Sequence, residues 1–259
     1  MIELTNCTKT FGEGTPNMVV ALAGLTLTIP DGQFPVVMGA KGSGKSTLLN
    51  GIAGTFTPDT GSIIVDGVDV TNQPAYRRAR YIGRVFQNPF AGTAPTMTVA
   101  ENLRLAALRG LPKRPLIGLS RAFRNELRNR VASLGMGLED RMETPIGLLS
   151  GGQRQALTLL MATFRPPAIL LLDEHTAALD PGSAAKVMEL TKQIVSEKKL
   201  TTLMVTHDME QALNVGNRLL MMERGAIVMD LAEQEKSQLT IAELLARFAG
   251  GRGSVVSSQ

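Results

Sequence analysis

The run that decides the fold is Gly39-Ala40-Lys41-Gly42-Ser43-Gly44-Lys45-Ser46-Thr47. It follows a short apolar stretch, 35–38, and precedes a stretch of helical composition, 48–53. A glycine, four residues and then Gly-Lys-Ser/Thr, placed between a strand and a helix, is the pattern of a phosphate-binding loop. Glycines let such a loop curl, so that backbone N–H groups and a helix N-terminus face an anion. The sequence therefore predicts a site for nucleotide phosphates.

Two side chains of this loop have separate expected roles. Lys45 supplies a mobile cation for the β- and γ-phosphates, and the Ser46 hydroxyl is placed to ligate Mg²⁺. The alternative is a glycine-rich turn that binds nothing. The complete pattern in its expected strand–helix context favours the phosphate site.

Composition limits the classes of protein to consider. The chain has 259 residues, 44% of them apolar, a formal net charge of +4, no Trp and one cysteine, Cys7. This length and apolar content are sufficient for one large domain with a proper core. A single cysteine excludes an intramolecular disulfide, and the scattered Lys and Arg favour a solvated surface over a nucleic-acid partner. With no signal-peptide pattern and no apolar run of about 18 residues, the chain is expected in the cytosol.

The order of periodic stretches predicts an α/β protein. Alternating apolar and polar residues predict strands at 2–8 and 19–29, and Asp66-Gly67 predicts a hairpin turn between two short strands. The continuously apolar run 168–172 is typical of a parallel strand that is buried on both faces. Helical spacing recurs between 98 and 134 and indicates a mostly helical insertion. An arginine-rich face in that insertion is either a solvated surface or a docking surface.

Two adjacent carboxylates, Asp173 and Glu174, end the apolar run 168–172. Carboxylates beside a core are costly without partners, so their placement indicates a site. Downstream of a phosphate loop, Asp173 is suited to the Mg²⁺ shell and Glu174 to polarising a water aimed at the γ-phosphate. The alternative is a helix cap at the end of the strand.

A second helix start is expected at Leu149-Ser150-Gly151-Gly152-Gln153-Arg154-Gln155. Ser150 can cap the helix, and the two glycines leave the adjacent backbone free. The chain then has two anion-binding helix ends, and one nucleotide rarely needs both from one subunit. The economical explanation is that the second end binds the γ-phosphate held by another copy. Two copies would meet head to tail about a twofold axis and enclose two nucleotides.

Together these motifs make the chain resemble the ATP-binding subunit of an ABC transporter. The resemblance covers about residues 1–230, and its motifs occur in family order. They are the phosphate loop 39–47, the glutamine-loop residue Gln87, the signature 149–153, the strand end Asp173-Glu174, the loop Ala178-Leu179-Asp180 and the switch histidine His207.

The resemblance implies a role for several single residues. Phe11 would stack on adenine, Gln87 would contact Mg²⁺ or the attacking water, and His207 would hydrogen-bond the γ-phosphate. Glu174, Gln87 and His207 are thus the expected catalytic residues, and Ser46, Gln87 and Asp173 the expected metal ligands. The residues expected on the partner's nucleotide are Ser150, Gly151, Gly152, Gln153 and Asp180.

The resemblance also implies an architecture. We expect an α/β fold with a phosphate-loop NTPase core, a parallel central sheet, an N-terminal antiparallel β subdomain and an inserted α-helical subdomain, forming one domain over 1–249. The expected boundaries are a core at about 1–87 and 166–230, a helical insertion at about 88–165, a C-terminal hairpin and helix at about 219–249, and a flexible tail at 250–259.

The same resemblance implies cofactors and partners. ATP and Mg²⁺ are expected in the site, and the reaction is hydrolysis of ATP to ADP and phosphate. The partners are a second copy of the chain, integral membrane permease subunits and an extracytoplasmic substrate-binding protein. The chain would lie in the cytoplasm, peripheral on the inner face of the cell membrane through its permease.

The chain departs from the family pattern at a few positions. His175 stands where Pro is commoner, Thr176-Ala177-Ala178 replaces a frequent Thr-Ser-Ala, and Lys41 adds a cation to the phosphate loop. None of these changes the carboxylates, so hydrolysis is still expected. The stretches 83–89, 92–98 and 173–181 resemble a bacterial importer subgroup linked to amino acids, aromatic ones especially.

Other classes of protein fit less well. ABC ATPases of DNA repair and chromosome structure insert a long coiled coil between phosphate loop and signature, whereas about a hundred residues without heptads intervene here. Ribosome-associated members usually carry two such domains in one chain. A kinase or GTPase outside the family leaves 149–155 and His207 unexplained. The sequence favours a transporter motor, an importer of amino acids or related small solutes.

Overall fold

The computed structural model describes residues 1–111 and 120–250, and for 248–250 the backbone alone. The strands are β1 (Ile2–Phe11), β2 (Val19–Ile29), β3 (Pro35–Gly39), β4 (Thr60–Val65), β5 (Val68–Asp69), β6 (Ile82–Val85), β7 (Ile169–Asp173), β8 (Thr202–Val205), β9 (Arg218–Glu223) and β10 (Ala226–Ala232). The helices are α1 (Lys45–Ala53), α2 (Ala75–Arg78), α3 (Val99–Ala107), α4 (Arg121–Ala132), α5 (Gly151–Thr163), α6 (Pro181–Glu197), α7 (Met209–Asn214), α8 (Glu233–Ser237) and α9 (Ile241–Gly250).

The N-terminal part of the chain forms an antiparallel sheet of four strands in the order β2-β1-β4-β5. Side chains of period two, such as Leu25 and Leu27 on β2, are buried on its inner face. This face packs on α1 through Leu48 and Leu49. The expected antiparallel β subdomain is confirmed, and it holds the helix that follows the phosphate loop.

The second sheet has six strands in the order β10-β9-β3-β8-β7-β6, and every pairing except β9 with β10 is parallel. Apolar clusters cover both of its faces, which is why β3, β7 and β8 are almost continuously apolar. Val37 lies opposite Val205, and Val205 lies opposite Asp173. The carboxyl ends of three adjacent strands therefore meet at one edge, and the expected parallel central sheet is confirmed.

The expected C-terminal hairpin is an integral part of this sheet. β9 pairs in parallel with β3, from Pro35 opposite Arg218 to Gly39 opposite Met222. The hairpin therefore lies against the strand that carries the phosphate loop. The predicted tail, 250–259, lies outside the described residues from 251 onward.

The inserted segment contributes α3, α4 and α5, which confirms the expected helical subdomain. A capping box of Thr98 and Glu101 starts α3, and Leu103, Leu127 and Leu157 bury the three helices in a common core. The arginine-rich face of α4 is exposed and makes ion pairs with acidic side chains, such as Arg124 with Glu143. These contacts favour the solvated interpretation of that face. Among residues 1–111 and 120–250, no helix has both the length and the apolar character that a membrane crossing requires.

A fully buried arginine ties the end of α1 to the antiparallel sheet. Arg78 donates from Nη1 to the carbonyls of Gly51 and Ile52, at 2.7 and 2.9 Å, and from Nη2 to that of Thr71, at 2.9 Å. Burial lowers the pKa of its guanidinium. The carbonyls at 51 and 52 belong to the last turn of α1, where that of Gly51 also accepts from the backbone N–H of Gly54 at 3.2 Å. Arg78 therefore caps the phosphate-loop helix at its carboxyl end.

Replacing this cap should destabilise the whole domain. In Arg78→Met the carbonyls of Gly51, Ile52 and Thr71 lose the hydrogen bonds from the guanidinium, so we expect the free energy of unfolding to fall by about 3 kcal/mol. Urea unfolding followed by circular dichroism measures the loss. The control is Arg77→Met on the exposed side of the same helix, which should change the value by no more than about 0.5 kcal/mol. Equal stability of the two variants would refute the capping role.

Candidate functional site

The phosphate loop joins β3 to α1 in a tightly enclosed space. A Cβ atom on Gly39 would lie 2.3 Å from the carbonyl oxygen of Met222, and one on Gly44 would lie 2.5 Å from that of Ala21. Gly44 also has a φ of 104°, a conformation that side chains strongly disfavour. The loop therefore requires glycine at both positions, and its curled backbone is held by β2 on one side and β9 on the other.

Lys45 is folded back onto this loop. Its Nζ donates to the carbonyls of Gly39 and Ala40, at 2.7 and 3.0 Å, and the side chain is buried. Burial lowers the pKa of the Lys45 ammonium, and the charges of Glu174 and Asp173 oppose this shift. Its positive charge thus sits inside the loop, where an incoming phosphate would replace the two carbonyls as its partner.

The loop forms the floor of a cleft of about 670 Å³. Most of the residues that the sequence nominates for nucleotide binding and catalysis line it. They are Phe11, Gly39, Lys41, Gly42, Gly44, Lys45, Ser46, Thr47, Gln87, Glu174 and His207, together with Val19 and Ala21. Of the remaining loop residues, Ala40 faces Lys45 through its carbonyl, and Ser43 is buried with no hydrogen-bond partner for its hydroxyl among the described residues.

Glu174 contacts two other polar side chains of the cleft. Its Oε2 accepts from Nε2 of Gln87 at 3.4 Å and lies 3.0 Å from Nδ1 of His207. Its backbone has a φ of 43°, in the left-handed region that costs a non-glycine residue energy. The strain turns the chain sharply at the end of β7 and directs the carboxylate into the cleft beside the two residues that the sequence assigned to the same reaction.

Asp173 lies next to Glu174 and is paired with a residue that the sequence reading passed over. Nη2 of Arg84, on β6, donates to Oδ2 of Asp173 at 3.1 Å. Parallel pairing of β6 with β7 brings these two residues together although they are far apart in the chain. A lone arginine in a short strand carries no sequence signal for such a pairing.

The structure separates the signature stretch from this cleft. Ser150 caps α5 and forms a capping box with Gln153, and Asp180 caps α6 by accepting from the backbone N–H of Ser183 at 3.0 Å. The two helix starts are in contact, since a Cβ atom on Gly152 would lie 2.7 Å from Cβ of Ser183. Ser150, Gly151, Gly152, Gln153 and Asp180 therefore form one surface unit, and they do not line the cleft of their own chain within the described residues.

Phe11 stands at the mouth of the cleft, at the end of β1. It is 44% exposed, and its ring meets that of Phe56 edge to face at a centroid distance of 5.5 Å. The ammonium of Lys9 lies 5.6 Å from its centroid. Because nearly half of the Phe11 side chain is exposed, part of its ring is open to a flat ligand.

His175 is buried directly behind Glu174. Its Nε2 lies 3.0 Å from Oγ1 of Thr191, and the threonine donates its own proton to the carbonyl of Val187 at 2.8 Å. Burial lowers the pKa of His175 to about 4. The imidazole is therefore neutral near pH 7. Its Nε2–H donates to Oγ1 of Thr191, and this hydrogen bond connects the end of β7 to α6.

Gln211 is a second residue that sequence reasoning missed. It lies on α7, which begins two residues after His207, and it accepts from Oγ1 of Thr206 at 3.1 Å and donates to Oγ1 of Thr176 at 3.3 Å. This amide joins the segment that follows β7 to the segment that follows β8. A helix of six residues has too short a periodic pattern to be recognised in the sequence.

Comparisons with known proteins agree with this geometry. The family model described as ABC transporter matches residues 22–177. A tyrosine transport ATP-binding protein of Clostridioides difficile is 43% identical, over 96% of this chain and 98% of the relative. A methionine import ATP-binding protein of Pseudomonas entomophila is 38% identical over 88% of this chain, which spans 66% of that relative.

Solved structures give the same result. A dimeric ATP-binding cassette in a post-hydrolysis state, bound to ADP and phosphate, superposes with a TM-score of 0.76. It is 29% identical, and the match covers 90% of this chain and 99% of that one. With the phosphate loop, the paired carboxylates and the separate signature surface all in place, the chain belongs to the ABC transporter family and is one of its ATP-hydrolysing ATP-binding subunits.

Proposed function

We propose that this chain drives the import of an amino acid, tyrosine or a close relative of it, through separate membrane permease subunits. The observation that carries the proposal is the 43% identity to a tyrosine transport ATP-binding protein, which extends over nearly the whole length of both chains. The methionine import relative is less similar and about a third of its length has no counterpart here. An extracytoplasmic binding protein would deliver the solute.

The predicted metal ligands fit a magnesium ion: Ser46 and Gln87 line the cleft, and Asp173 directly precedes the cleft residue Glu174. Ser46, Gln87 and Asp173 offer a hydroxyl, an amide and a carboxylate oxygen, which are the ligands that a hard cation prefers. Mg²⁺ commonly binds through one or two carboxylates and the substrate's phosphates, so one protein carboxylate is enough. When bound, the ion would neutralise part of the charge on the β- and γ-phosphates.

We assign the chemistry of hydrolysis to the residues around Glu174. Its carboxylate would orient and polarise the attacking water, and His207, 3.0 Å away, would bind the γ-phosphate. Gln87 donates a hydrogen bond to the same carboxylate and would transmit a change in the position of Glu174 to the helical subdomain. Lys45 and the loop N–H groups would hold the phosphates, and Phe11 would stack on the adenine.

The second half of each site would come from another copy of the chain. Ser150 to Gln153 and Asp180 form a surface with a helix N-terminus and stand apart from their own cleft. A helix N-terminus favours an anion, and the γ-phosphate of a partner's nucleotide supplies one. A head-to-tail dimer would bring this surface over the open cleft of the partner and exclude water from the phosphates.

The proposed substrate can be tested in cells of the organism that encodes this chain. Replacing the chromosomal gene with the Glu174→Gln allele should abolish high-affinity uptake of radiolabelled tyrosine, because the permease loses its motor. Uptake of labelled methionine and putrescine in the same cells is the control and should be unchanged. Tyrosine uptake equal to that of the parent strain would contradict the assignment of substrate.

Hydrolysis itself should depend on the carboxylate of Glu174. Glu174→Gln keeps the size of the side chain but removes the base, so ATP turnover should fall by about a hundredfold or more while ATP still binds. ATP should then trap a dimer that size-exclusion chromatography resolves from the nucleotide-free protein. Turnover at the wild-type rate would disprove the role given to Glu174.

A mixing experiment tests whether the site is shared between chains. Ser150→Arg should leave ATP binding to a single chain intact but block closure, because its side chain would occupy the place of the partner's γ-phosphate. Lys45→Ala removes the main phosphate cation of its own cleft. Each variant alone should be inactive, whereas a mixture can assemble one composite site from the intact halves.

The expected result of mixing is ATPase activity above the sum of the two separate variants. The control is Ser150→Arg mixed with a chain that carries both Ser150→Arg and Lys45→Ala, at the same total concentration, because no pairing of these two chains contains an intact composite site. The trans arrangement fails if Ser150→Arg alone hydrolyses ATP at the wild-type rate.

A further inference from the structure

Arg84 makes a contact that the proposed chemistry has not used. It lies on β6, three residues before Gln87, and opposite Leu171 in the parallel register with β7. Its side chain reaches forward to Asp173, with 3.1 Å between Nη2 and Oδ2. The two side chains are only 15% and 18% exposed, so the pair is poorly screened by water.

The pair is joined by a single hydrogen bond. Arginine and carboxylate can form two parallel bonds, which is the stronger arrangement. Here Nε of Arg84 is buried without a hydrogen-bond partner in the described part of the chain. The guanidinium instead lies over the ring of Phe86, 4.5 Å from its centroid. The guanidinium therefore has a second contact, the face of Phe86, that does not depend on the carboxylate.

The charges around Asp173 explain what the arginine does there. Asp173 and Glu174 are adjacent carboxylates in a partly buried place, and their like charges repel. The nearby cation of Lys45 is engaged with the carbonyls of its own loop. Among the described residues, Arg84 is therefore the cation within ion-pair distance of Asp173.

We propose that Arg84 is an exchangeable counter-ion of Asp173: it holds the carboxylate in the metal-free protein and is displaced from it when Mg²⁺ binds. This inference rests on the proposed role of Asp173 as a magnesium ligand. A cation of two charges and a guanidinium compete for one carboxylate, and the face of Phe86 keeps the released guanidinium within reach. Arg84 is a positioning residue that sets how strongly nucleotide binding depends on the metal.

Calorimetry with a non-hydrolysable ATP analogue tests the exchange without any turnover. The measured quantity is the ratio of the Kd in EDTA to the Kd in excess Mg²⁺. In Arg84→Met, the charge of Asp173 is no longer neutralised in EDTA, so the nucleotide should bind more weakly there. In excess Mg²⁺, the guanidinium no longer competes with the ion for Asp173, so the nucleotide should bind at least as tightly as in wild type. We therefore expect the ratio to rise by at least about fivefold relative to wild type.

A matched control separates this effect from the loss of any half-buried arginine. Arg218 is 16% exposed and pairs with Asp230 on β10, outside the cleft. Arg218→Met should lower stability but leave the ratio within about twofold of wild type. Arg84→Lys, which keeps the charge, should restore the ratio to within about twofold as well. Should Arg84→Met not fold, Arg84→Gln replaces it in the same measurement.

Three outcomes would overturn the proposal. One is a ratio for Arg84→Met within twofold of wild type. Another is an equal weakening of both affinities, which would make Arg84 a phosphate-binding cation. The last is an Arg84→Lys ratio that equals that of Arg84→Met, because charge would then not decide the effect.

A separate variant distinguishes this inference from the magnesium assignment on which it rests. If Asp173 is a metal ligand, Asp173→Asn should lower the ratio well below that of wild type. An unchanged ratio in Asp173→Asn would disprove the magnesium role, and the counter-ion role with it. A lowered ratio in Asp173→Asn beside an unchanged ratio in Arg84→Met would disprove the counter-ion role alone.

Discussion

The alignment of three parallel strands is the constraint on which the rest of the structure depends. β3, β8 and β7 are neighbours, and their register sets Val37, Val205 and Asp173 side by side. Each strand is buried on both faces, so none can slip without moving apolar side chains out of the core. The phosphate loop, His207 and Glu174 follow the ends of these strands, and a ligand site at that edge follows from the topology.

Three charged side chains in and beside the cleft each have a polar partner within the protein. Lys45 is bonded to loop carbonyls, Asp173 to Arg84, and Glu174 to Gln87 and His207. Binding of a nucleotide would therefore exchange polar contacts of these three side chains for others. Such an arrangement lowers the cost of burying charge in the absence of ligand, and it makes the response to nucleotide a change of partners.

Much of the candidate site, in the cleft and on the signature surface, could be predicted because its residues form local patterns. The glycines of the phosphate loop, the Asp173-Glu174 strand end and the cap at Ser150 each carry their meaning within a few residues of sequence. Arg84 could not be predicted in this way, because its pairing with Asp173 depends on the register of two strands that are 89 positions apart. Gln211 was missed for a related reason, since it joins two loops that only the tertiary fold brings together.

For the architecture too, local elements could be predicted, whereas their long-range pairing could not. Periodicity located the strands and the long helices, but it could not show that the C-terminal hairpin would pair with β3. This pairing joins strands that are far apart in the sequence, and local strand propensity carries little information about it. The assignment of Ser150 and Asp180 to a second chain also remains a prediction from the chemistry of helix ends.

The crowding of the phosphate loop has a consequence for how this chain can diverge over evolutionary time. Gly39 and Gly44 have no room for a methyl group because backbone atoms of Met222 and Ala21 stand against them. Side-chain substitutions in the flanking strands cannot create that room, since the obstructing atoms are carbonyl oxygens of the main chain. Relatives that vary freely elsewhere should thus keep both glycines and the backbone path of β2 and β9, and insertions should accumulate in other connections.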